Sequence, residues 1–357
     1  MKVALLFDGI SALGPSPDLA ILATVEAVET VLEEDGHTVV RVPVNPDARW
    51  IERLRRARFD LAFNLCECVD GVAALEPPVI GVLELLKLPY TGSSSATTAL
   101  CLRKHVINAT LDRAGLPVPR FALVRPGQKM PSVGFPAICK PAAEDASIGV
   151  EQRSVVRTAK ALEERVRAMH ERWDDILVQR YVDGREVNVG IVNNTLLPVA
   201  EIDFGGMPRG MWRIVSYRSK WETGSDEDLG SAPRCPAQLP VKLTRELGRI
   251  SLEAWRQVGG SGYGRCDFRI DGQGRPWLLE VNSNPDIAPD AGLARMAAVA
   301  GMDYAAMILA VVAAALEKTE APTEARWSLA RTLSGVEALT PEELNAQAAA
   351  RVASGPR

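Results

Sequence analysis

Short apolar runs alternate along the chain with longer stretches whose apolar residues recur every three or four positions, which predicts strands and helices in turn. Residues 3–7 form an apolar run that ends at Asp8-Gly9. Residues 19–33 carry helical spacing and stop at Asp35-Gly36, residues 39–42 are rich in valine, and residues 59–63 are another short apolar run. Units of this kind predict a parallel sheet flanked by helices over about residues 1–100. A dinucleotide fingerprint would place G-x-G-x-x-G in the first turn. The turn from Asp8 to Pro15 lacks it, so nothing there signals NAD.

A helical pattern spans residues 97–114 and ends at Gly115, with Pro117 and Pro119 beyond. Residues 135–140 are strand-like, 142–149 form a polar loop, 158–170 read as a helix and 176–179 as a short strand. From Arg185 strands dominate: 187–192, 197–202 and 213–217. A loop rich in Gly, Pro, Ser and Asp covers 222–236, and a loop longer than about 12–15 residues reads as a lid. A helix from Pro240 to Gly259-Gly260 puts Leu243, Leu247, Ile250 and Ala254 on one stripe. Two alanine-rich helices near 291–316 follow. In the last forty residues, Thr340 and Glu343 fit a capping box that opens a final helix. There is no internal repeat.

Composition narrows the class. The chain has 357 residues, 47% hydrophobic and 24% charged, with a net charge of −4. That length predicts two or three domains. The longest apolar runs, such as 310–316, fall far short of the roughly 20 residues of a membrane span, and the first residues do not read as a secretory signal. A basic nucleic-acid binder is disfavoured, and a soluble cytoplasmic protein is expected. The six cysteines include no C-x-x-C pair, and His37, His105 and His170 have no metal spacing. Zinc and Ser-His or Cys-His hydrolysis are therefore disfavoured. Cys66-Glu67-Cys68 reads better as buried small residues than as a redox fragment.

The chemistry then rests on carboxylates, lysines and arginines, and it concentrates in residues 262–285. Two strand-like runs flank the turn Asp271-Gly272-Gln273-Gly274. Setting Ile270 opposite Trp277 pairs Phe268 with Leu279 and Cys266 with Val281 on an apolar face. The other face then pairs Asp267 with Glu280 and Arg265 with Asn282. Facing carboxylates repel unless a cation lies between them, and Asp, Glu and Asn oxygens suit Mg²⁺. The alternative is a solvated face neutralised by Arg265 and Arg269. Lys140 follows a strand and precedes a small-residue loop with Ser147 and Gly149, the setting of a phosphate cradle, and Lys104 lies on a helical pattern. Each alone also reads as an ordinary surface lysine.

In order and spacing, the blocks FPAICKPAAEDASIGV, VQRYVDGREVNV, RIVSYRSKW and GYGRCDFRIDGQGRPWLLEVNSNP resemble the D-alanine–D-alanine ligase branch of the ATP-grasp superfamily, over about residues 1–317. The resemblance implies an α/β (α+β) ATP-grasp protein with a Rossmann-like N-terminal domain at 1–100. A central ATP-grasp subdomain would follow at 101–184, and a C-terminal subdomain with metal site and lid at 185–317. Residues 318–357 would be a helical extension. It implies ATP and Mg²⁺ (two ions, with Mn²⁺ as a substitute), small carboxylate and amine substrates, and a homodimer. Carried over position by position, Lys104 and Lys140 would meet the phosphates, with Ser147 in the phosphate loop. Gln179, Arg180 and Val182 would meet adenine and Glu186 the ribose. Lys220 would act from the lid, Asp267, Glu280 and Asn282 would hold metal, and Arg265 would stabilise the developing oxyanion.

The resemblance breaks at the amino-acid pocket. Family members that join two D-alanines use a Glu in the first loop, a Ser in the phosphate loop and a Tyr after the lid lysine. Here residues 9–19 hold no Glu, the phosphate-loop position is Ala146 beside Asp145, and Trp221 follows Lys220. Where the family has Asn-x-x-Pro-Gly, this chain has Asp286 after Pro285. Asp286 and Asp290 therefore read either as partners of an amine-bearing substrate or as caps of the following helix. The expectation is a carboxylate–amine ligase whose substrates are not two D-alanines. An authentic D-alanine–D-alanine ligase, a small-molecule kinase and a non-catalytic nucleotide-binding module are the alternatives.

Overall fold

The computed structural model describes residues 1–9 and 17–320, and residues Met1–Thr319 form one compact unit. The expected final helix at 340 lies outside the described residues. The first segment comprises β1 (Lys2–Asp8), α1 (Pro17–Glu34), β2 (Thr38–Val44), α2 (Arg49–Ala57), β3 (Leu61–Asn64) and α3 (Glu76–Leu85). Its strands form a parallel sheet in the order β2-β1-β3. β1 is apolar at consecutive positions because both of its faces are covered. Val3, Leu5 and Phe7 pack in one cluster with Val25 and Val28 of α1, and Ala4 and Leu6 pack in another with Trp50, Leu54 and Ile80.

The second segment comprises α4 (Ser95–Leu102), α5 (Lys104–Arg113), β4 (Phe121–Val124), β5 (Ala137–Pro141), β6 (Val155–Val156), α6 (Ala159–Met169) and β7 (Ile176–Arg180). Its antiparallel sheet runs β4-β7-β5-β6, with Leu162, Val166 and Met169 of α6 against one face. The single helix expected over 97–114 is two. Arg103 leaves the helical region (φ −86, ψ 83), and the Lys104 amide donates to the Ala142 carbonyl at 2.8 Å instead of continuing α4. That break starts α5 at Lys104, beside the loop that follows β5.

The third segment comprises β8 (Gly184–Val192), β9 (Thr195–Leu196), β10 (Ala200–Asp203), α7 (Tyr217–Trp221), α8 (Asp226–Leu229), β11 (Ala232–Arg234), α9 (Val241–Gln257), β12 (Tyr263–Asp271), β13 (Pro276–Asn282), α10 (Gly292–Val299) and α11 (Tyr304–Glu320). The sheet runs β11-β10-β8-β12-β13, with β9 paired to β8. Leu247, Ile250 and Ala254 of α9 pack with Val187, Val189, Phe268 and Leu278. Met307, Ile308 and Val311 of α11 instead join the cluster of Val3 and Leu5, so the end of the described chain closes the first sheet. Among the described residues no single helix is long and apolar enough to cross a membrane.

Three expectations here are corrected. The strand expected at 197–202 begins only at Ala200, since Pro198 can donate no ladder hydrogen bond. Residues 213–217 are not a strand. The carbonyls of Arg213 and Val215 accept from the side chains of Tyr181 and Ser147, at 3.1 and 3.0 Å, rather than from a neighbouring strand. The loop expected at 222–236 holds α8 and β11, and its attachments begin upstream of α7.

Candidate active site

The β12–β13 hairpin supplies the acids. Arg265 pairs with Asn282, Cys266 with Val281 and Asp267 with Glu280, as expected. Beyond Asp267 the register shifts by one residue. Phe268 faces Leu278, and Ile270 faces Pro276 rather than Trp277. The cause is a β-bulge with Leu279 as the extra residue. Leu278 and Val281 both lie in the core, while Leu279 and Glu280 are both only partly buried.

Around this pair the charges interlock. Arg265 donates to both oxygens of Asp267, at 2.7 and 2.8 Å, and Asn188 Nδ2 donates to Asp267 Oδ1 at 2.7 Å. Lys104 Nζ lies 2.6 Å from Asp145 Oδ1 and 3.3 Å from Glu280 Oε2. Burial disfavours the charge on Lys104, but Glu280 and Asp145 outweigh it and hold the ammonium above its usual pKa. Burial likewise disfavours the Glu280 carboxylate, and Lys104, Lys140 and Arg265 hold it below its usual value. Lys140 is pulled down by burial, with Lys104 adding to the effect against Glu280, Glu186 and Asp267.

Lys140 and Gln179 share a face of the second sheet, because Ile138 pairs with Gln179 and Lys140 with Leu177. Gln179 is 1% exposed, and its Nε2 has no hydrogen-bond partner among the described residues. The Arg180 and Tyr181 amides donate to the carbonyls of Arg120 and Pro136, at 2.8 and 2.9 Å. Glu186 lies 2.7 Å from Arg269 Nη2, and burial raises its pKa despite that partner. Arg269 is itself buried, over the rings of Tyr181 and Phe204.

The loop after β5, the candidate phosphate loop, and the segment around α7 and α8, the candidate lid, are fastened together. Ala146 and Ser147 both take left-handed backbone (φ 54 and 61), strain of the kind that collects at ligand loops. Ser147 Oγ donates to the Val215 carbonyl, so its hydroxyl is engaged by the lid segment. Trp221 Nε1 donates to the Ala146 carbonyl at 2.9 Å, and Lys220 Nζ lies 5.1 Å from the Trp221 ring centre. Buried Glu227 of α8 accepts from Gln152 at 3.0 Å and also from Ser216, closing the lid onto the second segment.

The sequence reading missed what the first segment brings. Asn284 Nδ2 donates to the Cys66 carbonyl at 3.1 Å and to Glu76 Oε1 at 2.9 Å, and Tyr263 donates to Asn284 Oδ1 at 2.6 Å. This ties the loop after β3 to the exit of β13. Glu67, on that loop, is exposed and lies in the field of Lys220 and Arg265 on the one hand and of Asp286 and Asp145 on the other. A lone acid between two cysteines carried no pattern that could announce it.

Neither Asp286 nor Asp290 caps the following helix, one of the two readings of these acids. Asp286 accepts from the Ala288 amide at 2.9 Å, whereas α10 begins after Ala291 with no side-chain cap. Both acids are exposed, and only Asp286 acts on the groups of the site. Burial raises the phenols of Tyr263 and Tyr304 and the charge of Asp286 adds to both, and the Tyr304 hydroxyl is buried with no partner among the described residues.

Comparison with known proteins adds to this geometry. Residues 110–313 match the family model for the D-Ala D-Ala ligase C-terminus. A D-alanine–D-alanine ligase of Geobacter sulfurreducens is 32% identical over 288 residues, which is 80% of this chain and 84% of that protein. One from Gluconobacter oxydans is 32% identical over 308 residues, covering 85% and 95%. The crystal structure of the Bacillus anthracis D-alanine–D-alanine ligase superposes with a TM-score of 0.74 at 21% identity, over 90% of this chain and 99% of that one.

Proposed function

The chain belongs to the D-alanine–D-alanine ligase family of ATP-grasp proteins, and from that premise we propose that it joins a small carboxylate to an amine at the expense of ATP. The observation that carries the reading is the facing pair Asp267 and Glu280, ringed by Lys104, Lys140 and Arg265.

The residues present fit a nucleotide and a hard cation. The buried Gln179 Nε2 is a donor that a purine ring could satisfy, and such a donor is costly to leave unpaired. Lys104 and Lys140 would neutralise phosphate oxygens, and Glu186, steadied by Arg269, would meet the ribose. Asp267, Glu280 and Asn282 would hold Mg²⁺, since their oxygens are the hard ligands it prefers. When bound, ATP supplies the phosphoryl group that turns the carboxylate into an acyl phosphate. The amine nitrogen then bonds to the acyl carbon and loses a proton, and phosphate departs. In that step Arg265 would face the developing oxyanion, and Lys220 would act on the transferred group from the lid.

The names of the relatives support two D-alanines as substrates better than they support the departure that the sequence suggests. A second reading, a different amine partner, is favoured by Asp286 and Glu67 at the mouth of the site. An assay of phosphate release with Mg²⁺-ATP decides between them, run on two D-alanines beside a panel of amino acids and amines with products weighed by mass spectrometry. ADP, phosphate and a condensed product establish the ligase and name its substrates. Phosphate transferred with no amide formed overturns it in favour of a kinase, and no turnover with any pair overturns it outright.

A further inference from the structure

Of the candidate metal ligands, Asp267 and Glu280 offer oxygen whichever way they turn, but Asn282 is an amide with one useful end. Its oxygen can meet a cation and its NH₂ group cannot. We infer that Asn284 is a positioning residue that aims the Asn282 oxygen, and that Glu76 acts on the metal site through Asn284. This rests on the ligase reading and its Mg²⁺ site.

Hydrogen bonds at every polar atom of Asn284 but its carbonyl carry the inference. Its main-chain amide donates to Asn282 Oδ1 at 2.9 Å. An N–H is met only by the oxygen end, so this contact selects the orientation of the Asn282 amide. It takes one lone pair of Oδ1 and leaves the other for a cation. The Asn284 side chain is saturated in turn. Its Nδ2 donates to the Cys66 carbonyl at 3.1 Å and to Glu76 Oε1 at 2.9 Å, and its Oδ1 accepts from the Tyr263 hydroxyl at 2.6 Å. A carbonyl can only accept, so Cys66 fixes which way this second amide points. The holders are firmly seated: Cys66 is 0%, Tyr263 1% and Glu76 4% exposed. They come from the loop after β3, from β12 and from the first turn of α3. β13 ends at Asn282, so these side-chain bonds, and not the sheet, hold the main chain at Asn284. Burial raises the Glu76 carboxyl well above its usual range, and the Asn284 hydrogen bond opposes that rise. Asn284 therefore needs an acceptor from Glu76 and not a charge.

The test is calorimetric titration of the full chain with a non-hydrolysable ATP analogue, once with Mg²⁺ and once with EDTA in its place. The ratio of the two affinities reads the metal site separately from the nucleotide site. Asn284→Ala should lower that ratio by about 10-fold or more, the scale for losing an outer partner of a metal ligand. Its affinity in EDTA should equal that of the wild type. Asn284→Asp keeps the volume but loses both side-chain donors, and it should lower the ratio as well. Glu76→Leu should do the same, whereas Glu76→Gln keeps an acceptor and should restore most of the ratio. A wild-type ratio in both Asn284 variants overturns the inference, as does Glu76→Gln falling as far as Glu76→Leu. Equal losses in Mg²⁺ and in EDTA also overturn it, since the role of Asn284 is then structural. Failure of the metal reading itself is distinct: the wild type would bind the analogue equally in Mg²⁺ and in EDTA, and the inference would fall with it.

Discussion

The indole of Trp221 donates a hydrogen bond to the carbonyl of Ala146 at 2.9 Å, so the lid residue next to Lys220 is fastened to the loop that follows the strand of Lys140. With the Ser147–Val215 bond, this contact joins two candidate phosphate-binding elements that are 75 residues apart in sequence. Trp221→Phe keeps a ring and removes the donor. A single hydrogen bond contributes about 0.5–1.5 kcal/mol, so the lid should open more often, with a few-fold loss in kcat/KM. Limited proteolysis should show faster cleavage between Glu222 and Ser231, and an unchanged rate there would mean that the indole does not fasten the lid.

Glu280→Gln removes one charge at nearly constant volume. Lys104 keeps Asp145 at 2.6 Å, so the fold should survive. Turnover should fall by about 100-fold or more, the scale seen when one preorganised electrostatic group is lost. Mn²⁺ binding, followed by its paramagnetic resonance, should weaken in parallel. A variant that turns over normally would remove Glu280 from the mechanism.

Arg269 and Glu186 form a buried pair, 4% and 13% exposed at the side chain. Arg269→Leu leaves Glu186 buried without its cation and removes one donor each from the carbonyls of Gly184 and Arg213. Removing one partner of such a pair costs about 3–5 kcal/mol. Urea unfolding at pH 7 should show a loss of that size. A loss below 1 kcal/mol would show that water reaches Glu186 easily.

Asp271 governs the hairpin turn through the amides of Gln273 and Arg275 and the Trp277 indole. Burial acts against its charge, yet these hydrogen bonds hold its carboxyl at about 2, below its ordinary 3.8. An acid lowered on folding adds stability that is full above its unfolded pKa and is lost as pH falls through its folded one. Asp271→Asn should therefore cost about 1–3 kcal/mol at neutral pH. The gap to wild type should narrow as pH drops from 4 towards 2, as denaturant midpoints would record. A gap that does not change with pH would assign the effect to shape instead of charge.

Much of this site was legible because its parts obey local periodicities. The Asp267–Glu280 pairing follows from alternation around a four-residue turn, and the strands of Lys140 and Gln179 are short apolar runs. The bulge at Leu279 was not legible, since Leu278 and Leu279 are chemically identical and only packing selects which one enters the core. The break at Arg103 was equally silent, because neither proline nor glycine marks it and the cause is a tertiary bond from Lys104 to Ala142. The tie between the loop after β3 and the exit of β13 lay beyond reach for a different reason. Asn284 meets the Cys66 carbonyl from more than two hundred residues away, and no spacing along the chain encodes that contact.

The bulge in β13 has a consequence for how the hairpin tolerates changes in length. Loss of any other residue between Leu278 and Asn282 would remove a core side chain or a candidate ligand. Loss of Leu279 would leave Leu278 opposite Phe268 and Glu280 opposite Asp267, in an uninterrupted ladder. The strand thus contains one position that neither the core nor the acid pair needs for its alignment. What that position adds is a partly exposed apolar side chain next to Glu280. The surface beside the acids can therefore be reshaped, in size or by deletion, without resetting the register on which they depend.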